Sequence, residues 1–155
     1  MGLMSAPSYP RDIPPLWLLA ALLCMGLLHW LLPVEVLLQA PWRWIGLGPV
    51  LGGLFLVLAT VAQLHRAHTG IRPFSEATTL VRLGGFYWSR NPIYLGMVAV
   101  VSGTAIALGS LTPLVVPPLF WLVLDRRFVR NEERFLHDRF GAVYDDYCQR
   151  VRRWL

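Results

Sequence analysis

The sequence predicts an all-α integral membrane protein with four transmembrane helices, the last two a short hairpin, and a cytoplasmic C-terminal amphipathic helix. Apolar residues make up 55% of the 155 residues and charged residues only 15%, against roughly 25% charged in soluble domains. The apolar residues form runs that are long enough to cross a bilayer. The 14 basic residues, all of them arginine, lie outside those runs. The length fits a single domain over 1–155.

The first two spans are predicted at about 13–32 and 44–64. Pro14 and Pro15 fall in the opening turn of the first, where a missing N–H costs little. Arg11 is the only early basic residue and no small-residue cleavage site follows, so we expect the segment to be retained. The second span contains no charged residue.

The third apolar run would measure about 48 Å as one helix, which is too long for a single crossing. Glycine, serine and proline at 109–113 are typical of a turn. We therefore predict two short helices, at about 93–109 and 112–125, folded as a hairpin. Pro117 and Pro118 are expected to kink the second of them.

The arginines predict the orientation. Every arginine except Arg43 precedes the first span, lies between the second and third, or follows the fourth. With four spans these regions share one face, and the cytoplasmic face keeps the excess of basic residues. Both termini are therefore predicted to be cytoplasmic. The net charge of +5 reflects this distribution, and no nucleic-acid partner is expected.

Two predicted cytoplasmic segments could carry chemistry, at about 70–96 and 126–155. In the second, apolar residues recur at helical spacing as far as Val143, which predicts an amphipathic helix. Gly141 is its candidate end, and the aromatic residues after it, Tyr144, Tyr147 and Trp154, are expected at the membrane interface.

Arg90 comes just before a helix start at Asn91 and Pro92, and Glu132 and Glu133 sit within a basic run. Taken alone, Arg90 is also explained as a membrane-surface anchor. The two glutamates are likewise explained as i,i+3 partners of nearby arginines. The sequence predicts no metal site.

The same two segments resemble a known family. Residues 78–96 read TTLVRLGGFYWSRNPIYLG, residues 132–147 read EERFLHDRFGAVYDDY, and residues 151–154 read VRRW. These runs resemble the signature of integral membrane methyltransferases, namely isoprenylcysteine carboxyl methyltransferases and related phospholipid N-methyltransferases. The likeness covers roughly 65–155, whereas the first two spans match only in being hydrophobic.

The resemblance implies S-adenosylmethionine in a pocket facing the cytoplasm, with a lipophilic acceptor entering from the bilayer. Arg90, with Arg127 or Arg130, would face the acceptor. Asn91 stands where many members have His, and an amide cannot act as a base. By position, the cofactor-binding residues would be Thr79, Leu80, Val81, Phe86, Tyr87, Asn91, Pro92, Ile93, Tyr94 and Glu132.

The acceptor class stays open between an isoprenoid-type carboxylate, a thiol and a lipid amine. A carboxylate or thiolate needs a cation to hold it, which Arg90 could supply. An amine needs a base, for which Glu133 is the nearest candidate. The shortage of other bases favours an anionic acceptor.

Two other functions compete with this hypothesis. One is a non-catalytic four-helix membrane scaffold. The other is a module related to sterol reductases that binds NADPH, although no cluster of basic residues for a 2′-phosphate stands out. A proton-coupled transporter is disfavoured, because such carriers place an ionisable residue inside a span and none is found there.

Overall fold

The computed structural model describes residues 13–32, 34–69 and 79–155, and within these ranges the predicted all-α class is confirmed. The helices are α1 (Pro14–Leu31), α2 (Leu47–Arg66), α3 (Gly85–Trp88), α4 (Pro92–Leu108), α5 (Val116–Leu124), α6 (Arg130–Phe140) and α7 (Ala142–Arg150). A short 3₁₀ turn, Trp42–Gly46, precedes α2, and another, Thr112–Val115, precedes α5. A π-helical turn, Asp125–Val129, follows α5. Arg11, Arg72 and positions 70–78 of the predicted cofactor segment lie outside the described residues.

Two helical stretches are long and apolar enough to cross a membrane. They are Pro14–Leu31, with 18 residues, and Trp42–Arg66, with 25 residues. Both agree with the predicted segments 13–32 and 44–64 to within about two residues at each end. The apolar helix α4 is shorter, with 17 residues, so four crossings stay a prediction.

Helices α2 and α4 pack antiparallel and very closely. Gly46 lies against Gly103, and Gly53 lies against Gly96; a Cβ atom at any of these four positions would collide with the backbone of the facing helix. Small residues let helix backbones approach in this way, and the gain is van der Waals contact along the whole interface. This pair of helices forms one wall of the site described below.

The predicted break after α4 is present. Gly109 ends the helix with φ +73°, and its carbonyl accepts hydrogen bonds from the backbone N–H groups of Leu37 and Leu38 at 2.8 and 3.0 Å. The second predicted helix, 112–125, is divided just before its prolines: Thr112–Val115 form the 3₁₀ turn and α5 begins at Val116, so the expected kink stays a prediction. Pro117 and Pro118 fall in the first turn of α5, where a proline removes no intrahelical hydrogen bond.

The sequence predicted one C-terminal amphipathic helix that ends at about Gly141; α6 does end there, but a second helix, α7, follows it. The chain runs through the π-helical turn into α6, and α7 follows after a break at Gly141. Gly141 has φ +52°, a conformation that glycine adopts without steric cost. Val143, expected on the apolar face, is 52% exposed.

The main core joins α1, α4 and α5 to the π-helical turn. Met25, Val101, Leu124 and Phe128 are completely buried in it. A second, smaller cluster in α7 and the segment after it contains Tyr144, Tyr147 and Val151. The start of α1, the end of α2 and the start of α4 meet at one end of the bundle, where α6 and α7 pack.

Candidate active site

A cavity of about 310 Å³ lies at this end of the bundle. Its walls come from the start of α1, the last turns of α2, the first turn of α4, and α6 and α7. The apolar part of the wall consists of Ile13, Pro14, Pro15, Val57, Val61, Leu64, Met97, Phe135 and Leu136. An apolar wall with a few polar groups is typical of a small-molecule site.

The cavity gathers almost all of the residues assigned to the cofactor by resemblance. Tyr87 is the exception, since its side chain is 66% exposed and it borders a separate surface depression with Arg82 and Arg150. The residues that do line the cavity are Thr79, Leu80, Val81, Phe86, Asn91, Pro92, Ile93, Tyr94 and Glu132. Segments about forty residues apart in sequence thus form one wall.

Several wall residues were not predicted as site residues. Tyr144 and Tyr147 lie three residues apart on α7, and the sequence indicated only an interfacial role for them. Val57, Val61 and Leu64 have helical spacing on α2. Because α2 is apolar on every side, its sequence carries no signal that would select this face.

Glu132 is the carboxylate of the cavity wall. The Tyr94 hydroxyl donates a hydrogen bond of 2.8 Å to Glu132 Oε2. Burial raises the pKa of Glu132, the hydrogen bond from Tyr94 opposes this shift, and the charge of Glu133 adds to it. Glu132 therefore offers a carboxyl group for hydrogen bonding in a place where an unpaired charge is costly.

Arg90 also lines the cavity, whereas Glu133 lies behind it. Arg90 Nη2 is 3.2 Å from Glu133 Oε1, and the two side chains are only 14% and 13% exposed. On the other side, Arg153 donates from Nη2 and Nε to Glu133 Oε2, at 2.6 and 3.0 Å. Arg90 Nε is buried and has no hydrogen-bond partner among the described residues. This N–H donor of Arg90 is therefore available to a ligand.

The aromatic side of the cavity is held by α7. The Tyr147 hydroxyl donates a hydrogen bond of 2.6 Å to the carbonyl of Phe86. Burial raises the pKa of Tyr147 to about 12 against the opposing charge of Arg90, so this hydroxyl stays a neutral donor. Burial also raises the pKa of Tyr144.

Arg127 and Arg130, assigned to the acceptor by resemblance, do not line the cavity. The guanidinium of Arg127 stacks over the Trp17 ring, 5.5 Å from its centroid. Arg130 Nε pairs with Asp125 Oδ2 at 2.7 Å.

The fold and the site together define a class, namely small helical proteins of membrane type with an apolar cavity at the end of the bundle. Among the described residues, the cavity wall contains one carboxylate and one guanidinium. The model of the phospholipid methyltransferase family matches residues 42–143. The chain belongs to this family.

Curated relatives agree with this membership. The chain is 33% identical, over 66% of its length, to the protein-S-isoprenylcysteine O-methyltransferase of Saccharomyces cerevisiae. The match covers 46% of that protein, so the chain spans about half the length of this relative. It is also 32% identical over 63 residues to an uncharacterized protein of Haemophilus influenzae, all of which it covers.

A solved structure shares the fold. The eukaryotic intramembrane Ras methyltransferase, isoprenylcysteine carboxyl methyltransferase, superimposes with a TM-score of 0.67 at 22% identity. The match covers 91% of this chain and 51% of that one. The described helices therefore have the arrangement of a membrane enzyme about twice as long.

Proposed function

We propose that the protein transfers a methyl group from S-adenosylmethionine to a lipophilic acceptor at the cytoplasmic face of a membrane. One observation supports this most directly. The two segments that carry the methyltransferase signature, about forty residues apart in sequence, both contribute residues to the wall of a single cavity. If these two segments only packed against each other, no cavity would be expected between them.

The residues of the cavity fit S-adenosylmethionine. Glu132 and Asn91 can bind the amino and hydroxyl groups of such a molecule, and Phe86, Tyr144 and Tyr147 offer ring surfaces to its adenine. Among the described wall residues Arg90 is the only cation. That suits a donor without phosphates, and it disfavours NADPH, whose phosphates call for several positive groups.

When bound, S-adenosylmethionine supplies a sulfonium methyl group: the acceptor lone pair forms a bond to the methyl carbon as the carbon–sulfur bond breaks, leaving a neutral thioether. The protein has little covalent chemistry to perform. Its residues must align donor and acceptor and keep water out. The apolar walls from α2, α4 and α6 exclude water, while Glu132 and Arg90 fix the orientation of the polar groups.

The site favours an acceptor that is already an anion. Arg90 brings a buried guanidinium to the cavity with Nε unused. Glu133, the base that an amine acceptor would need, is held in ion pairs with Arg90 and Arg153 and does not line the cavity. A carboxylate or thiolate on a lipophilic body matches these groups. Since α1 and α2 form part of the wall, that body would enter from the bilayer side.

A methyl-transfer assay with a matched set of acceptors tests the proposal. Purified protein would receive labelled S-adenosylmethionine with an S-farnesylcysteine carboxylate, a long-chain thiol or phosphatidylethanolamine. We expect label on an anionic acceptor, and a loss of roughly 100-fold in rate for Arg90→Gln, the scale of one charged orienting group. Arg150→Gln is the control, because Arg150 does not line the cavity and pairs with the exposed Asp146.

Two results would contradict this proposal. Methylation of the amine alone would remove the anionic acceptor class. No transfer to any acceptor, together with no binding of S-adenosylmethionine, would favour the non-catalytic scaffold.

A further inference from the structure

The last residues of the chain form a strap, residues 151–154, across the start of α4. The Arg90 backbone N–H donates to the carbonyl of Arg152 at 3.0 Å. The next carbonyl, that of Arg153, accepts from Ser89 Oγ at 3.2 Å and from Asn91 Nδ2 at 3.1 Å. Three successive residues at the helix start are thus tied to two successive carbonyls of the strap.

Both ends of the strap are anchored in apolar clusters. Val151 is buried with Tyr144 and Tyr147 in the smaller cluster. Trp154 packs against the main core, and its indole N–H donates to Asp125 Oδ1 at 3.3 Å. The position of Arg153 between these anchors is therefore fixed by its neighbours, independently of its own side chain.

The side chains of Arg153 and Arg90 contact different oxygens of the Glu133 carboxylate. Glu133 Oε2 accepts both hydrogen bonds from Arg153, and only Oε1 faces Arg90, at 3.2 Å. The hydrogen bond with Glu133 raises the pKa of Arg153, against the partial burial that lowers it, so its guanidinium stays charged. Arg153 Nη1 also lies 3.9 Å from Asp125 Oδ1, but Glu133 is the carboxylate that the two arginines share.

We propose that Arg153 is a positioning residue for Arg90: by occupying one oxygen of Glu133, it holds Arg90 at the cavity and keeps that guanidinium from being fully neutralised. Without Arg153, Arg90 would be the one cation left within 4 Å of Glu133 among the described residues. A carboxylate and a guanidinium prefer a two-point pair, so Arg90 would turn towards Glu133 and away from the cavity. The value of this for methyl transfer rests on the proposed function, but the geometry can be tested alone.

Cys148 reports the position of Arg90. Arg90 Nη1 donates a hydrogen bond to Cys148 Sγ, and a neighbouring cation stabilises the thiolate, the form that reacts with alkylating agents. Cys24 is the only other cysteine of the chain and lies exposed on α1. In a Cys24→Ala background, the rate of Cys148 alkylation therefore reports where the Arg90 guanidinium lies, and no ligand is needed.

The experiment measures the rate of iodoacetamide alkylation of Cys148 by mass spectrometry in detergent-purified protein. Arg153→Gln should lower this rate at least about threefold, because the thiolate loses its cation. Arg153→Lys, which keeps a charge near Glu133, should restore the rate to within about twofold. Arg150→Gln, at the end of the helix that carries Cys148, should leave the alkylation rate unchanged.

An unchanged or faster rate in Arg153→Gln overturns the proposal, and so does a loss that Arg153→Lys does not restore. If Arg153→Gln fails to fold, Ser89→Ala decides, since it loosens the strap without removing a charge. A slower rate there supports the proposal, and an unchanged rate overturns it. A wild-type protein that binds no S-adenosylmethionine would remove the proposed function without touching these rates.

Discussion

At the scale of single residues, the two adjacent glutamates have opposite roles. Successive residues of a helix are about 100° apart around its axis, so Glu132 and Glu133 cannot face the same way. Glu132 lies in the cavity wall with Tyr94, and Glu133 lies between Arg90 and Arg153. The first is therefore available to a ligand and the second is occupied by the protein itself.

The burial of Glu132 predicts a pH-dependent stability. Because burial raises its pKa, the folded state binds the proton more tightly than the unfolded chain does. The stability from this group is fully present below its unfolded pKa and is lost as the pH rises through the folded pKa. Glu132→Gln, which still accepts from Tyr94, should therefore raise the melting temperature more at pH 8 than at pH 5.

The measurement is thermal unfolding of both proteins at the two pH values. A rise of about 2–4 °C at pH 8 corresponds to about 1 kcal/mol. Asp138→Asn, an exposed carboxylate on the same helix, serves as control and should change little. An equal shift at both pH values, or a lower melting temperature, would show that the charge of Glu132 is not costly.

At the scale of elements, the close contact of α2 and α4 decides the shape of the cavity. Gly53 and Gly96 touch just beyond the cavity, where Val57 of α2 and Met97 of α4 enter its wall. If the helices were held further apart at this point, the wall would open. The glycine pairs thus stabilise the helix pair and define the space beside it.

Gly53→Ala tests this contact. Its Cβ would collide with the backbone carbonyl of Gly96, which is an overpacking that costs about 1–3 kcal/mol. Gly52→Ala is a matched control on the next residue, because a Cβ there meets nothing within 4 Å. We expect the control to be neutral or to stabilise by about 0.5–1 kcal/mol, as measured by thermal unfolding. Equal effects of the two substitutions would contradict the close packing.

The elements that the sequence could predict are those with a local signal. Apolar runs, prolines at helix starts and Gly109 placed α1, α2, α4 and the turn after α4 close to their observed positions. Gly141 likewise indicated the end of α6, but the helix beyond it, α7, was not predicted, because its tyrosines were interpreted as interfacial aromatics. The site residues on α2 were not predictable, since nothing local distinguishes one apolar face from another. The ties between residues 89–91 and the strap join parts of the chain about sixty residues apart, and only tertiary packing reveals them.

At the scale of the whole molecule, the described chain begins and ends on the same side. The start of α1 at Pro14 lines the cavity, and the strap is bonded to residues 89–91 beside it. At the other end of the bundle, His29 near the end of α1 forms a hydrogen bond of 2.7 Å with Ser110, just after the end of α4. This arrangement is the one expected if both ends are cytoplasmic and the cavity faces the cytoplasm, as the arginine distribution predicts.

Titration calorimetry of the detergent-purified protein decides whether the cavity binds S-adenosylmethionine, as we propose. We expect binding of S-adenosylmethionine and S-adenosylhomocysteine but not of NADPH. Glu132→Ala should weaken binding by roughly 1.5–3 kcal/mol, the usual scale for a hydrogen bond to a charged group, while Asp138→Asn should not. Binding of NADPH alone, or equal affinity in a folded Glu132→Ala protein, would contradict the account.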